Sequence, residues 1–298
     1  MQKNNLDLVI AINKKTNLTV KLEESYKDKY NIIYYEKPSF FSSIFKKEQQ
    51  IDIYIHQGSI SNDALDMIIK AKLTIVNCIG LKQLIQSKLP TFNIDKVQIV
   101  YPYVIASKSY DKQIKKDFKA LHDIKKEENI ILFCSQDLNK HGIKAFLKLI
   151  DKLYLKEFVV VIESTTKEID RLKMKINRVK VDYKMILLEN YKDKDSLFIA
   201  SDIFVLPTTQ QLFIPNVLKA MYFKNAVFLP QTNFSAEAID TFSVMRDIED
   251  PTTSFRIDSV IGNKRELKKI QKENKEKVKD FTLENNLKVI KHLIENKL

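Results

Sequence analysis

Glycine is close to missing from this chain, with 4 residues in 298 against roughly 7% in an average protein. Gly58, Gly80, Gly142 and Gly262 each stand alone, so the chain has no Walker loop and no GxGxxG turn. A catalyst that cradles phosphates with backbone amides needs several glycines together, and that class of site is disfavoured. Cysteine is equally scarce. Cys78 and Cys134 lie far apart, each inside an apolar strand-like run, which reads as two buried free thiols in a reducing compartment and not as a disulfide framework. No apolar run approaches the roughly 20 residues that cross a bilayer. The opening segment MQKNNLDLVIAINKKTN has one short apolar stretch that ends in charged residues. With no small-residue cleavage site after it, this segment is expected to be a first strand and not a signal peptide. Together these absences point to a cytoplasmic protein.

What is present is enough for two domains of ordinary size, since the chain is 44% hydrophobic. The formal net charge is +12, and a cationic surface attracts phosphates and anionic lipid headgroups. That charge is spread along the chain. Residues 1–105 hold 14 lysines against 10 acids, and the remainder holds 36 basic against 28 acidic residues. Neither part is a basic tail, and no aromatic-spaced basic motif of an RNA-binding sheet appears. Nucleic acid is not expected as a partner; peripheral contact with an anionic membrane, at its inner face, stays open.

Strand-like runs alternate with helix-like ones almost throughout, the pattern of an α/β architecture with parallel sheets. In the first third, strands are expected at LDLVIAI (6–12), YNIIYY (30–35), IDIYIHQ (51–57), KLTIVNCI (72–79) and VQIVYP (97–102). A second series brings NIILFCS (129–135), EFVVVIES (157–164), YKMILLE (183–189), DIFVLP (202–207) and AVFLP. The division falls near residue 104, giving an N-terminal domain over 1–104 and a C-terminal domain with closing helices over 105–298. The apolar, aromatic stretch FFSSIFKK (40–47) is expected to form a covering helix or, if exposed, a membrane foot. From Glu266 to the end the chain lacks glycine and proline and is helix-permissive throughout, and the charged stretch at 264–279 reads as a solvated helix face.

Several segments occur in a telling order: VYPYV, ILFCSQDLNKHGIKAFLKLI, ASDIFVLP, QLFIPNVLKAM, NFSAE and KVKDFTLENN. In that order they resemble parts of the group 1 family of retaining GT-B glycosyltransferases. The first two resemble the interdomain linker and the strand, loop and helix that hold the donor pyrophosphate. The next two resemble the strand leading to the nucleotide and the E-G-F-x-x-x-x-L-E-A-M segment. The last two resemble the G-G-x-x-E loop and the closing V-x-x-F-[ST]-x-E helix. The resemblance covers residues 97–298. It implies an α/β, GT-B-like fold, with two Rossmann-like domains facing across a cleft and a small N-terminal domain. It further implies hexosyl transfer from a nucleotide-diphosphate sugar to a surface-glycan acceptor, with no metal or other cofactor.

A nucleotide-sugar donor carries two phosphates, which require cations or helix N-terminal amides, and hydroxyls, for which carboxylates are strong acceptors. In the family the two glutamates of E-x7-E supply those acceptors, but this chain has Gln211 and Lys219 at their positions. Gln211 still accepts and donates hydrogen bonds without charge, whereas Lys219 only donates. In the phosphate loop the family's arginine and lysine fall on Gln136 and His141, with Lys140 adjacent, and its glycine pair falls on Asn233 and Phe234. A side chain at Asn233 is expected to stand between backbone and ligand. Glu237 keeps the family's acid. The donor-binding candidates are therefore Lys140 for the diphosphate, Gln211 and Glu237 for the sugar, and Lys219, meeting the nucleotide in a different way. His56, at the end of IDIYIHQG, is the candidate catalytic residue. Asp193 and Asp195 spell D-x-D, yet no set of Cys, His and acids has metal-ligand spacing. The losses at several positions together leave a second function open, that of a non-catalytic relative binding or scaffolding a protein partner.

Overall fold

A computed structural model of the chain describes residues 6–13, 15–35, 50–176 and 181–297. The stretch FFSSIFKK lies outside the described residues. The chain divides into two compact units, Met1–Tyr103 together with Phe281–Leu298, and Val104–Asp280.

The first unit is built on strands β1 (Leu6–Ile12), β2 (Tyr30–Tyr34), β3 (Ile51–Ile55), β4 (Ala71–Val76) and β5 (Val97–Ile99), in the order β2-β1-β3-β4-β5. All its pairings are parallel. A parallel strand in mid-sheet is covered on both faces, and Leu8, Val9, Ile10 and Ala11 of β1 are accordingly all buried. Helices α1 (Asn17–Tyr26), α2 (Asn62–Lys70) and α3 (Ile79–Lys88) connect the strands. Thr16 and Thr19 close a reciprocal capping box at the start of α1, and the Ser61 side chain caps α2.

The second unit has strands β6 (Asn129–Cys134), β7 (Phe158–Ser164), β8 (Lys184–Glu189), β9 (Ile203–Val205), β10 (Ala226–Pro230) and β11 (Val244–Met245). Their order is β11-β10-β9-β6-β7-β8, again all parallel. Counted from β6, this is the 3-2-1-4-5-6 order of a dinucleotide-type doubly wound sheet. Every residue of β6 and β7 is buried, as the centre of such a sheet requires. The helices are α4 (Lys112–Leu121), α5 (Ile143–Asp151), α6 (Thr166–Ile176), α7 (Lys194–Ala200), α8 (Pro215–Tyr222), α9 (Thr252–Gly262) and α10 (Lys264–Lys277).

The helix-permissive C-terminal run is not one helix. It breaks after Lys277, and α11 (Leu283–Lys297) starts under Thr282, whose hydroxyl accepts from the amide of Asn285. The two pieces belong to different units: α10 packs on α8 and α9, while α11 returns to the first unit. Ile290, Leu293 and Ile294 of α11 enter one apolar core with Leu8, Ile10, Leu18, Leu22, Ile53, Ile55, Leu73 and Ile75. The first unit's leading stretch ends at Tyr103, and the closing helix, within Phe281–Leu298, counts with it and not with Val104–Asp280. Among the described residues no helix is long and apolar enough to cross a membrane.

Candidate functional site

In open α/β sheets ligands bind outside the carboxyl ends of the strands, where the strand order reverses. In the second unit that point lies between β6 and β9, because the chain moves from β6 to β7 and β8 on one side and then crosses to β9 on the other. Two loops leave these strand ends, 135–142 into α5 and 206–214 into α8. They meet at Gly142. This residue has φ of 87°, and a Cβ there would lie 1.8 Å from the Pro207 carbonyl oxygen. The chain spends one of its few glycines on locking the two loops together.

Beside that contact is a depression of about 380 Å³, whose lining includes Asn139, Lys140, Lys144, Lys148, Pro207 and Thr209. Lys148 is paired with Glu249 at 3.1 Å. Among the described residues no carboxylate lies within 4 Å of the ammonium of Lys140 or Lys144. The N-terminal turn of α5 enters here as well, adding the positive end of its dipole. Of the sequence candidates, Lys140 is in this depression. Lys144 and Lys148 were missed; they stand four residues apart on one face of α5, and Lys140 lies in the turn that precedes it.

The loop after β10 is braced where the family has glycines. The buried Asn233 donates from Nδ2 to the Gln210 carbonyl at 2.8 Å, and its Oδ1 accepts from the Ser235 amide at 3.0 Å. The Ser235 hydroxyl oxygen accepts from the Ile214 amide at 2.6 Å. Asn233 therefore does not stand in front of the backbone as expected; it is turned inward and ties the loop to 206–214. Gln211 and Glu237 are exposed on these two braced segments, Glu237 inside a short 3-10 turn, Phe234–Ala238.

Lys219 lies elsewhere in its interactions. Its ammonium is 2.5 Å from Oδ1 of Asp195, with side-chain exposures of 18% and 4%. The other carboxylate oxygen accepts from the amide and hydroxyl of Ser107, at 2.5 and 2.9 Å, and from the Lys108 amide at 3.1 Å. Burial alone raises the pKa of the Asp195 carboxyl, but the hydrogen bonds from Lys219 and Ser107 outweigh it and hold the group below the usual range. The D-x-D pair is likewise structural. Asp193 caps α7 through the Ser196 amide and pairs with Lys108. Asp195 joins α7, α8 and the segment at Ser107.

A second buried carboxylate, Glu163 at the end of β7, pairs with Lys194 and accepts from the Cys134 thiol at 3.1 Å. Burial and then the Glu163 charge push the Cys134 thiol pKa well up, so the thiol stays protonated and inert.

His56 belongs to the first unit, just past β3, and is 3% exposed. Its Nδ1 is 2.8 Å from the Tyr54 hydroxyl, and its buried Nε2 has no hydrogen-bond partner among the described residues. Burial pushes its pKa down, against an upward pull from the backbone of Ser59 and Gly58. His141, between Lys140 and Gly142, is lowered by burial and then by Lys140. Both are neutral bases in the folded state at pH 7. A base whose folded pKa lies below its unfolded value, about 6.5 for histidine, costs stability when it must be protonated. Stability is expected to be full above pH 6.5 and to fall as pH drops below it. The urea midpoint should be lower at pH 5.0 than at pH 7.5; equal midpoints would contradict this.

No family model matches the chain, and no curated protein matches it in sequence. Solved structures do match. A glycosyltransferase from Rickettsia africae ESF-5 superposes with a TM-score of 0.72 and 15% identity, over 98% of this chain and 99% of that one. Anabaena Alr3699/HepE, solved in complex with UDP, gives 0.76 and 10% identity over 97% of this chain and the whole of the other. WaaG, a glycosyltransferase of lipopolysaccharide biosynthesis, gives 0.68 and 10% identity over 97% and 100%. The chain has a GT-B fold. The α/β class and the GT-B-like architecture expected from the sequence are thus borne out, the matches covering 97–98% of the chain. Within that fold, the crevice between β6 and β9 is the part of this chain that carries the cationic depression.

Proposed function

We propose that the protein transfers a hexose from a nucleotide-diphosphate sugar to a surface-glycan acceptor, as a divergent member of the group 1 family of retaining GT-B glycosyltransferases. One observation carries this reading: Lys140 and Lys144 line the crevice at the reversal of strand order, with no carboxylate among the described residues within 4 Å of either ammonium, the Glu249 of the same lining being paired with Lys148. Support comes from the neighbour HepE, which has been solved with UDP and with UDP-glucose. In this reading the two lysines and the N-terminus of α5 carry the charge of the departing diphosphate, so no metal is required. Gln211 and Glu237, on the braced loops, offer hydrogen bonds to sugar hydroxyls. Lys219 takes no part in binding, since Asp195 holds it. His56 keeps its place as the candidate residue of the first unit. The reading carries with it a cytoplasmic location.

Isothermal titration with UDP and UDP-glucose tests it. Binding is expected, and Lys140→Ala with Lys144→Ala together should weaken it by about tenfold to a hundredfold, the effect of losing one or two hydrogen bonds to a charged group. Absence of binding at protein concentrations that detect millimolar affinity would refute the proposal. A second reading has its own observation. The acceptor pair of the family is reduced to Gln211 and an ion-paired Lys219, which leaves the ribose no carboxylate from these two positions. A non-catalytic relative, holding a nucleotide or a protein partner without turnover, would bind UDP-glucose and release no UDP in the presence of any acceptor or water.

A further inference from the structure

One side of helix α10 carries lysines without acids. At 3.6 residues per turn, Lys264, Lys268, Lys272 and Lys275 fall within an arc of about 80° and along about 17 Å of helix. Glu266, Glu273 and Glu276 lie outside that arc, interleaved with Arg265, Lys269 and Lys277, and the apolar face with Leu267 and Ile270 is buried against the unit. The stripe continues beyond the helix. Lys279 follows in the closing turn, where it pairs with Glu276, and Lys224 joins from the end of α8.

These cations gather around tyrosines. The Lys275 ammonium sits 3.2 Å from the centre of the Tyr222 ring, and Lys224 sits 4.4 Å from that of Tyr110. Burial lowers the Lys275 pKa first, and the neighbouring charges that lower it further are Lys224 and Lys279, both positive. Among the described residues no carboxylate lies within 4 Å of Lys224, Lys264, Lys268, Lys272 or Lys275. A row of like charges without counterions repels itself, and a surface of opposite charge relieves that repulsion.

We propose that the lysine stripe of α10, extended by Lys224, docks the protein on an anionic phospholipid surface. The buried apolar face rules out insertion of α10, so attraction is electrostatic, with the lysines held at headgroup level. Single-stranded nucleic acid fits less well, because it needs free aromatic faces for base stacking, and Tyr110 and Tyr222 already carry ammonium groups. The surface is separate from the depression at Lys140, and its test does not depend on nucleotide binding.

Vesicles of phosphatidylcholine alone, and of phosphatidylcholine with 30% phosphatidylglycerol as a stated test composition, give the assay by co-sedimentation of the full chain. Binding is expected only to the anionic vesicles at 50 mM salt and should be lost at 500 mM, as screening requires. At about fivefold per lysine, Lys268→Ala, Lys272→Ala and Lys275→Ala together should reduce partitioning on the order of a hundredfold. Replacing the same three by arginine should preserve it. Removing Lys116, Lys126 and Lys167, which changes the net charge equally, should leave partitioning within about threefold, since these lie outside the stripe. Three results would overturn the proposal: no binding to anionic vesicles at low salt, equal loss in both alanine triples, or displacement of the vesicles by an oligonucleotide at equal charge.

Discussion

Gly142→Ala is expected to destabilise the protein by about 3 kcal/mol, combining a left-handed backbone penalty of about 1–2 kcal/mol with the cost of overpacking. The overpacking term is specific to this position, because the new Cβ would meet the Pro207 carbonyl oxygen at 1.8 Å. Backbone oxygen cannot swing aside as a side chain can. Gly58→Ala is the internal control. It also has positive φ, 103°, but nothing lies within 4 Å of the added carbon, so only the backbone part, about 1 kcal/mol, should be lost. Urea unfolding of the two variants measures the difference. Equal losses would show that the contact between loops 135–142 and 206–214 is soft. Gly142→Ala should also weaken nucleotide binding, because one wall of the depression is displaced with the loop.

Asp195→Ala should cost on the order of 3–5 kcal/mol, the range for removing one partner of a buried ion pair. Three donors from Ser107 and Lys108 lose their acceptor at the same time, and Lys219 is left as a mostly buried cation. Asp195→Ala combined with Lys219→Met should be less damaging than Asp195→Ala alone, and a double-mutant cycle should show coupling above about 1 kcal/mol. Additive losses in that cycle would mean that the pair contributes nothing beyond its separate contacts. The same geometry explains why the acid of the family pattern cannot simply be restored. Lys219→Glu would set two carboxylates against each other in a buried site, which forces one to stay protonated. Only a paired exchange at both positions escapes this.

The strands were legible in the sequence because central parallel strands are continuous apolar runs. LDLVIAI became Leu6–Ile12 without a shift, and EFVVVIES became Phe158–Ser164. What escaped was of two kinds. The two-residue strand Val244–Met245 and the break after Lys277 carry no periodicity and no glycine or proline, so composition could not mark them. The second kind is partnership across the chain. Lys219 reads as a lost acceptor until its carboxylate, Asp195, is found 24 positions away, and Asn233 reads as an obstacle until its side chain is seen to hold the Gln210 carbonyl. Spacing along the sequence reports which face of an element a residue occupies, and not which distant group it meets. Lys140 was found because it sits in a recognisable loop, while Lys144 looked like one surface lysine among many.

The return of α11 to the first unit also sets an order of events during synthesis. The second unit is one unbroken stretch and can collapse as soon as it leaves the ribosome. The first unit cannot finish at that moment, because Ile290, Leu293 and Ile294 supply part of its core. Its sheet must wait, with the surface that faces α11 still open to water, until α11 emerges. Of the two units, the one whose synthesis starts earlier is therefore completed later.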